Sequence, residues 1–220
     1  MTRLLRKHIR LTGIVLFLTI AAAPALRGQD TYYAEVGISG GGGFSLGDVN
    51  GILFRWMEPA AGAYIKYKIN GHYAVTANFE GGWSGVGRVD GQYRRTQFFT
   101  LEALGEFNFF NFGAKYFEAN STWATPYVYA GIGMVYFNGL VVPEVPMGIG
   151  VKIKLSDRLT MGAMWTVAKV LNDGFDYVDD PIGLNKGFWN NRDWNSTLKV
   201  FFGFNFAKIC TPCRDGRVKF

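Results

Sequence analysis

The feature that most constrains this chain is a repeated alternation of apolar and polar residues. It is clearest over residues 148–155, where glycine or lysine alternates with Ile149, Val151, Ile153 and Leu155. A period of two places the two sets on opposite faces of a β-strand. About eight such stretches, separated by turn-rich segments, predict an all-β fold: an eight-stranded antiparallel up-and-down β-barrel that crosses a membrane.

Residues 1–25 have the organisation of a cleavable signal peptide. An apolar core over residues 14–20 precedes a small-residue site at Ala23-Pro24-Ala25, and the core follows a basic region of Arg3, Arg6, Lys7 and Arg10. The core is shorter than the roughly 20 residues of a membrane helix. We therefore expect cleavage between Ala25 and Gln29, a barrel over residues 30–207 and a basic tail over residues 208–220.

Removal of the signal changes the charge of the chain. The signal holds four of the 23 basic residues and none of the 17 acidic ones, which leaves 19 basic residues and a net charge near +2. Without a basic arm or helix, we expect no nucleic-acid partner. The 16% aromatic content and 29 glycines favour strands, turns and membrane-interface belts.

Alternation and turn residues predict where the strands lie. Seven of them alternate clearly, whereas the seventh is apolar on both faces, so an amphipathic helix remains an alternative there. The predicted strands are residues 32–40, 60–69, 73–80, 99–109, 126–137, 148–155, 159–170 and 197–206.

The connections between these strands predict the orientation. Tight turns follow the second strand, at Asn70-Gly71, and the sixth strand, whereas links 41–59, 82–95 and 171–195 are long. Outer-membrane barrels have short periplasmic turns and longer external loops, so we expect both termini in the periplasm. Link 111–125 is a long exception on the periplasmic side, and link 138–146 is of moderate length.

Charged residues identify the inner face. An ionised lysine at the bilayer midplane costs roughly 2–4 kcal/mol on the lipid face of a barrel. An eight-stranded interior is just wide enough for side chains to fill, so we expect a plugged barrel without a sizeable pore. The residues predicted to face inwards are Lys66, Lys68, Glu80, Glu102, Glu106, Lys152 and Lys199.

No residue pattern predicts an enzyme, a cofactor or a metal site. His72 is the one histidine after the signal, and it lies in a predicted turn without an evident nucleophile. Four aspartates of the last long link could ligate Ca²⁺, but they lack EF-hand spacing. A solvated loop is the simpler interpretation of Asp173, Asp176, Asp179 and Asp180.

Cys210 and Cys213 are the pair with the most distinctive chemistry. A redox motif of this spacing begins a helix in a βαβ unit, and a zinc site needs further ligands. In an oxidising periplasm, a disulfide within the tail is favoured, with a disulfide to a partner chain as the alternative. The tail also offers a candidate periplasmic interface through Lys208, Arg214, Arg217 and Lys219.

Several motifs together resemble the PorG family of outer-membrane proteins from Bacteroidota type IX secretion systems. They are EVG at 35–37, LGD at 46–48, AGAY at 61–64, LGEFNFF at 104–110, TPYVYAGIG at 125–133, PMGIGVK at 146–152 and YVDD at 177–180. The seventh strand departs from the family pattern because it lacks the charged residues that are typical of that pattern. The resemblance implies a non-enzymatic component of protein secretion, and of gliding motility in some bacteria, that anchors or positions the periplasmic ring of PorK and PorN.

Other functions are compatible with the same residues. A small OmpA-like structural barrel or adhesin without a secretion role is the main alternative. A lipid-modifying barrel enzyme would need catalytic groups at the external rim, and a soluble lipocalin-like binder would not enter a membrane. For the secretion component, and for every alternative that enters the outer membrane, we expect outer-membrane lipid and lipopolysaccharide as partners.

Overall fold

The chain forms a closed barrel of eight antiparallel strands in a computed structural model. The structure describes residues 32–47, 50–89, 91–112, 122–156, 158–172, 175 and 193–208. Each strand is hydrogen-bonded to the next, and β8 closes the ring on β1. The strands are β1 (Tyr32–Leu46), β2 (Glu58–Lys68), β3 (Tyr73–Val89), β4 (Gln92–Asn108), β5 (Ala124–Phe137), β6 (Leu140–Lys154), β7 (Leu159–Val170) and β8 (Trp194–Lys208).

The alternation in the sequence becomes an inner and an outer face. Along β4, buried residues alternate with exposed ones from Thr96 to Glu106. The exposed set is apolar and forms a belt around the barrel that includes Ile38, Ile65, Leu101 and Ile132. Closure leaves no unpaired sheet edge, so a wall of this kind satisfies its backbone hydrogen bonds in lipid.

The two ends of the barrel differ. We call the end at which β1 begins and β8 ends the terminal end, and the opposite end the loop end. Short turns 69–72 and 155–158 lie at the terminal end, together with the longer link 109–123. Links 47–57 and 171–193 lie at the loop end.

The expected eight-stranded barrel is confirmed, and β7 has the predicted bounds, so the helical alternative at residues 159–170 is wrong. β7 has apolar residues on both faces because its inner face is covered by other lumen side chains. Met164, for instance, packs against the aromatic residues Tyr64, Tyr127, Tyr129 and Phe201 of the interior.

Two predicted connections are wrong. β3 continues to Val89 and β4 begins at Gln92, so only residues 90–91 connect them instead of the expected long link 82–95. The glycine-rich end of β3 hides its period of two, because a register shift between Gly85 and Gly87 interrupts the alternation. The expected link 138–146 is a two-residue turn of Asn138 and Gly139, both at positive φ, and β6 begins at Leu140.

Within the described ranges, no helix has the length and apolar character that a membrane crossing requires. The signal peptide predicted at residues 1–25 lies outside the described residues, as does the tail from residue 209 onward. Lys208, with which the predicted tail begins, is the last residue of β8 and pairs with Tyr32.

The belt makes a direct prediction about Ile132, which is 72% exposed and pairs with Ala103 near mid-height of the wall. Ile132→Lys should destabilise the barrel by about 2–4 kcal/mol in lipid vesicles, because it places an ammonium group in hydrocarbon. Urea titration of the folded fraction measures this, with Ile132→Leu as the control. Equal stability of the lysine variant would contradict a lipid-facing position.

Candidate functional site

The lumen is the most strongly organised polar region of the described residues. The prediction of inward-facing charges is confirmed, since each lies on the inner face and all but Lys68 are more than nine-tenths buried. The set is Lys66, Lys68, Glu80, Glu102, Glu106, Lys152 and Lys199. Both signs of charge occur, so the residues neutralise one another across the barrel.

A group of five charges, the terminal cluster, fills the half of the lumen nearer the terminal end. Glu35 accepts from Lys68 at 3.0 Å and lies 3.6 Å from Lys66. Lys66 is 3.3 Å from Glu106, which also pairs with Lys152. Sequence analysis missed Glu35. Because Val36 and Ile38 face outwards, the period of two places Glu35 on the inner face.

A second group, the loop-side cluster, contains more carboxylates than cations. Lys199 donates to Glu80, and the side-chain amide of Asn78 donates to Glu102 at 2.7 Å. Glu144 is buried, and neither of its oxygens has a hydrogen-bond partner among the described residues. The register places Glu102 and Glu144 on either side of Gly133, whose missing side chain leaves them facing each other.

Two phenylalanines close the lumen. Phe175, from link 171–193, packs on Phe137 at the loop end, and its carbonyl accepts from the Thr96 hydroxyl at 2.7 Å. Phe112, from link 109–123, is buried at the terminal end, where its amide donates to the Gly71 carbonyl at 3.0 Å. Both residues lie in links, so the strand alternation did not indicate them.

The space that remains inside is small. Two interior cavities of about 20 and 10 Å³ lie among the charged and aromatic side chains. A cavity needs roughly 10–15 Å³ to hold one water molecule. The described part of the chain therefore forms a plugged barrel, as predicted, with room for isolated waters and not for a solute.

The sequence-predicted candidate residues have mixed outcomes. Cys210, Cys213, Arg214, Arg217 and Lys219 lie outside the described residues, as do the four aspartates of the last link. His72 lies in the turn between β2 and β3, as predicted, with Nδ1 3.0 Å from the Asn108 carbonyl and its ring against Phe107. Among the described residues, no group of three His, Cys, Asp or Glu side chains could hold a metal ion.

A second organised region lies on the outside of the barrel. β2 begins only at Glu58, so beyond Gly42 β1 pairs directly with β3, at Gly43 and Phe44. Link 47–57 then folds against the outer wall, where Phe54 packs on Phe44 and on Trp165. A solvated external loop would be polar, so the apolar run Ile52-Leu53-Phe54 is the sequence signal that could have indicated this arrangement.

Aromatic and charged side chains join that link to the hairpin of β3 and β4 in an arrangement we call the arginine–aromatic ladder. The Arg55 guanidinium lies over the Trp56 ring, and Trp56 packs on Tyr93. The Tyr93 hydroxyl donates to Glu58 at 2.5 Å, and Glu58 lies 3.5 Å from Arg95. Tyr93 lies beyond the apolar belt, where burial and its bond to Glu58 raise its pKa to about 12, so its hydroxyl keeps the donated proton.

Comparison with known proteins agrees with this architecture. No protein-family model matches the chain, and no curated protein matches it in sequence. The crystal structure of Neisserial surface protein A matches with a TM-score of 0.53 at 9% identity, over 79% of this chain and 97% of that one. Ail, the attachment invasion locus protein of Yersinia pestis, matches with a TM-score of 0.50 at 11% identity, over 80% and 99%.

The chain has the eight-stranded β-barrel fold of outer-membrane proteins. At such low identities the similarity describes the fold alone. Neither match identifies the PorG family, so that resemblance stays a hypothesis that rests on the sequence motifs.

The loop-side cluster predicts a large effect for Lys199→Met. Loss of the ammonium leaves buried Glu80 without its cation, beside Glu102 and Glu144, and should cost about 3–5 kcal/mol of unfolding free energy. The double variant Lys199→Met/Glu80→Gln should recover part of this loss, because it removes the unpaired charge. Urea unfolding in vesicles measures both, and additive losses would contradict a direct pair.

Proposed function

We propose that this protein is a small structural barrel of the bacterial outer membrane, OmpA-like in kind, that presents its loop end at the cell surface and neither conducts solutes nor catalyses a reaction. One observation supports this proposal most strongly. The lumen is filled between Phe112 and Phe175 by paired charges, inside a wall whose outer face is an apolar belt.

The position of the links supports the orientation. The short turns 69–72 and 155–158 are typical of the periplasmic side, and the links 47–57 and 171–193 are typical of the exterior. The two-residue turns 90–91 and 138–139 also lie at the loop end, and link 109–123 is the one long connection at the terminal end. Both termini would then lie in the periplasm, and the links at the loop end would form the surface available for attachment to other molecules.

Two measurements on the full chain test this proposal. After cell fractionation, the protein should be recovered with the outer membrane, and an epitope tag inserted after Asn185 in link 171–193 should be accessible on intact cells. Purified protein in planar bilayers should show no steady conductance, because the lumen offers no continuous path. A tag that is accessible only after lysis, or stable ion conductance, would contradict the proposal.

A role in type IX secretion, with PorK and PorN as periplasmic partners, is a second hypothesis supported by the PorG resemblance. The test is truncation after Lys208, which keeps the whole of β8 and removes the cysteine pair and Arg214, Arg217 and Lys219. If the tail contacts the ring, the truncated barrel should still insert but should lose co-purification of the ring proteins. Undiminished ring recovery and normal cargo secretion by a strain lacking the protein would contradict this role.

A further inference from the structure

A crevice of about 490 Å³ lies on the outer wall next to link 47–57. Its floor is made of small outward-facing residues of β1 and β7, Gly40, Gly42 and Ala163, and its sides include Met57, Leu198 and Val200. Leu198 and Val200 are exposed apolar residues of the outer face of β8 and belong to the belt. The crevice therefore lies within the apolar belt, beside link 47–57.

The surrounding structure holds this crevice open. Met57 packs on Gly42, where an added Cβ would lie 2.6 Å from the Met57 methyl carbon, whereas a Cβ at Gly40 would meet open space. Link 47–57 also contains two aromatic residues at φ 60°, Phe54 and Trp56. The left-handed conformation costs roughly 1–2 kcal/mol for a residue with a side chain. Their ring contacts with the wall and with Tyr93 hold them there.

An arginine is connected to the crevice through one of the residues that line it. Glu58 is part of the lining, and Arg95, its ion-pair partner, lies over the Trp83 ring. Arg88 is exposed and lies opposite Tyr93 in the hairpin of β3 and β4. Residues 47–58 and 88–95 together contain four arginines, Arg55, Arg88, Arg94 and Arg95, and three carboxylates, Asp48, Glu58 and Asp90, so this part of the chain carries a net positive charge.

We propose that the crevice and the arginine–aromatic ladder together form a binding site for a phosphate-bearing glycolipid of the outer leaflet. One acyl chain lies along Gly40 in the crevice, and the phosphate groups contact Arg95 and Arg55. Guanidinium groups bind phosphate oxygens through paired, charge-assisted hydrogen bonds. Arg95 lies over the Trp83 ring, and aromatic residues are enriched at the boundary between hydrocarbon and headgroups, where this contact would place the phosphates.

This site rests on the proposed function in one respect, because it requires the loop end to face the outer leaflet. The two contacts make separate demands on the ligand. The arginines require phosphate, and the crevice requires an acyl chain. A soluble anion would satisfy the first demand alone, and a neutral lipid the second alone.

The test titrates the purified full chain in detergent micelles with bisphosphorylated lipid A and counts bound lipid by native mass spectrometry. Arg95→Gln should weaken binding about tenfold, as expected for the loss of one charge-assisted contact. Arg158→Gln, an exposed arginine at the terminal end, is the matched control. Dephosphorylated lipid A should bind the unmodified protein about as weakly as lipid A binds the Arg95 variant.

The crevice is tested by Gly40→Leu, which fills it from a position where a Cβ has no neighbour within 4 Å. Ala77→Leu adds the same side chain to the outer face of β3, away from the crevice, and is its control. Weaker binding of lipid A to Gly40→Leu, with Ala77→Leu unchanged, supports the site.

Equal binding by Arg95→Gln and Arg158→Gln would overturn the proposal. So would binding that depends on Arg95 but not on Gly40, because the site would then be a surface for anions. Since this binding is measured in micelles, it does not depend on where the protein resides in the cell. Failure of the fractionation test therefore remains distinguishable from failure of the lipid site.

Discussion

The pairing of buried charges inside a closed wall is the interaction on which the rest of the structure depends. Charged residues in alternate positions cannot face lipid, so each strand must direct them inwards, and only a closed ring gives all of them a common interior. Once there, most of them are stabilised in pairs, as between Lys66 and Glu106 or Lys199 and Glu80, and Glu144 is the described exception. The same pairing that fixes which face is inside also fills the lumen and excludes a transport path.

The outer wall contains the more specialised features. Because β2 begins only at Glu58, β1 contacts β3 directly and link 47–57 is free to fold back over the wall. Gly85 permits this path, since an added Cβ would lie 1.6 Å from the Trp56 carbonyl oxygen. The result is a strained aromatic segment beside an apolar crevice, with arginines at the expected level of lipid headgroups. A barrel that served only to fill the membrane would not need this arrangement.

The sequence predicted what depends on local alternation. The eight strands, the inward charges and the turn at His72 follow from a period of two and from turn residues that act over a few positions. The hairpin of β3 and β4 was missed because glycines carry no inward or outward signal and the shift at Gly85 changes the phase. The plugs Phe112 and Phe175, and the ladder from Arg55 to Arg95, depend on contacts between distant segments, which no local pattern encodes.

The central claim is that the alternation assigns one face of each strand to lipid and the other to a closed, charged lumen. Single cysteines introduced at residues 98–107 of β4, after replacement of Cys210 and Cys213 by serine, would carry spin labels in lipid vesicles. Oxygen accessibility should then oscillate with a period of two, with maxima at Phe99, Leu101, Ala103, Gly105 and Phe107. Uniform accessibility along the strand, or maxima at Thr100, Glu102 and Glu106, would contradict it.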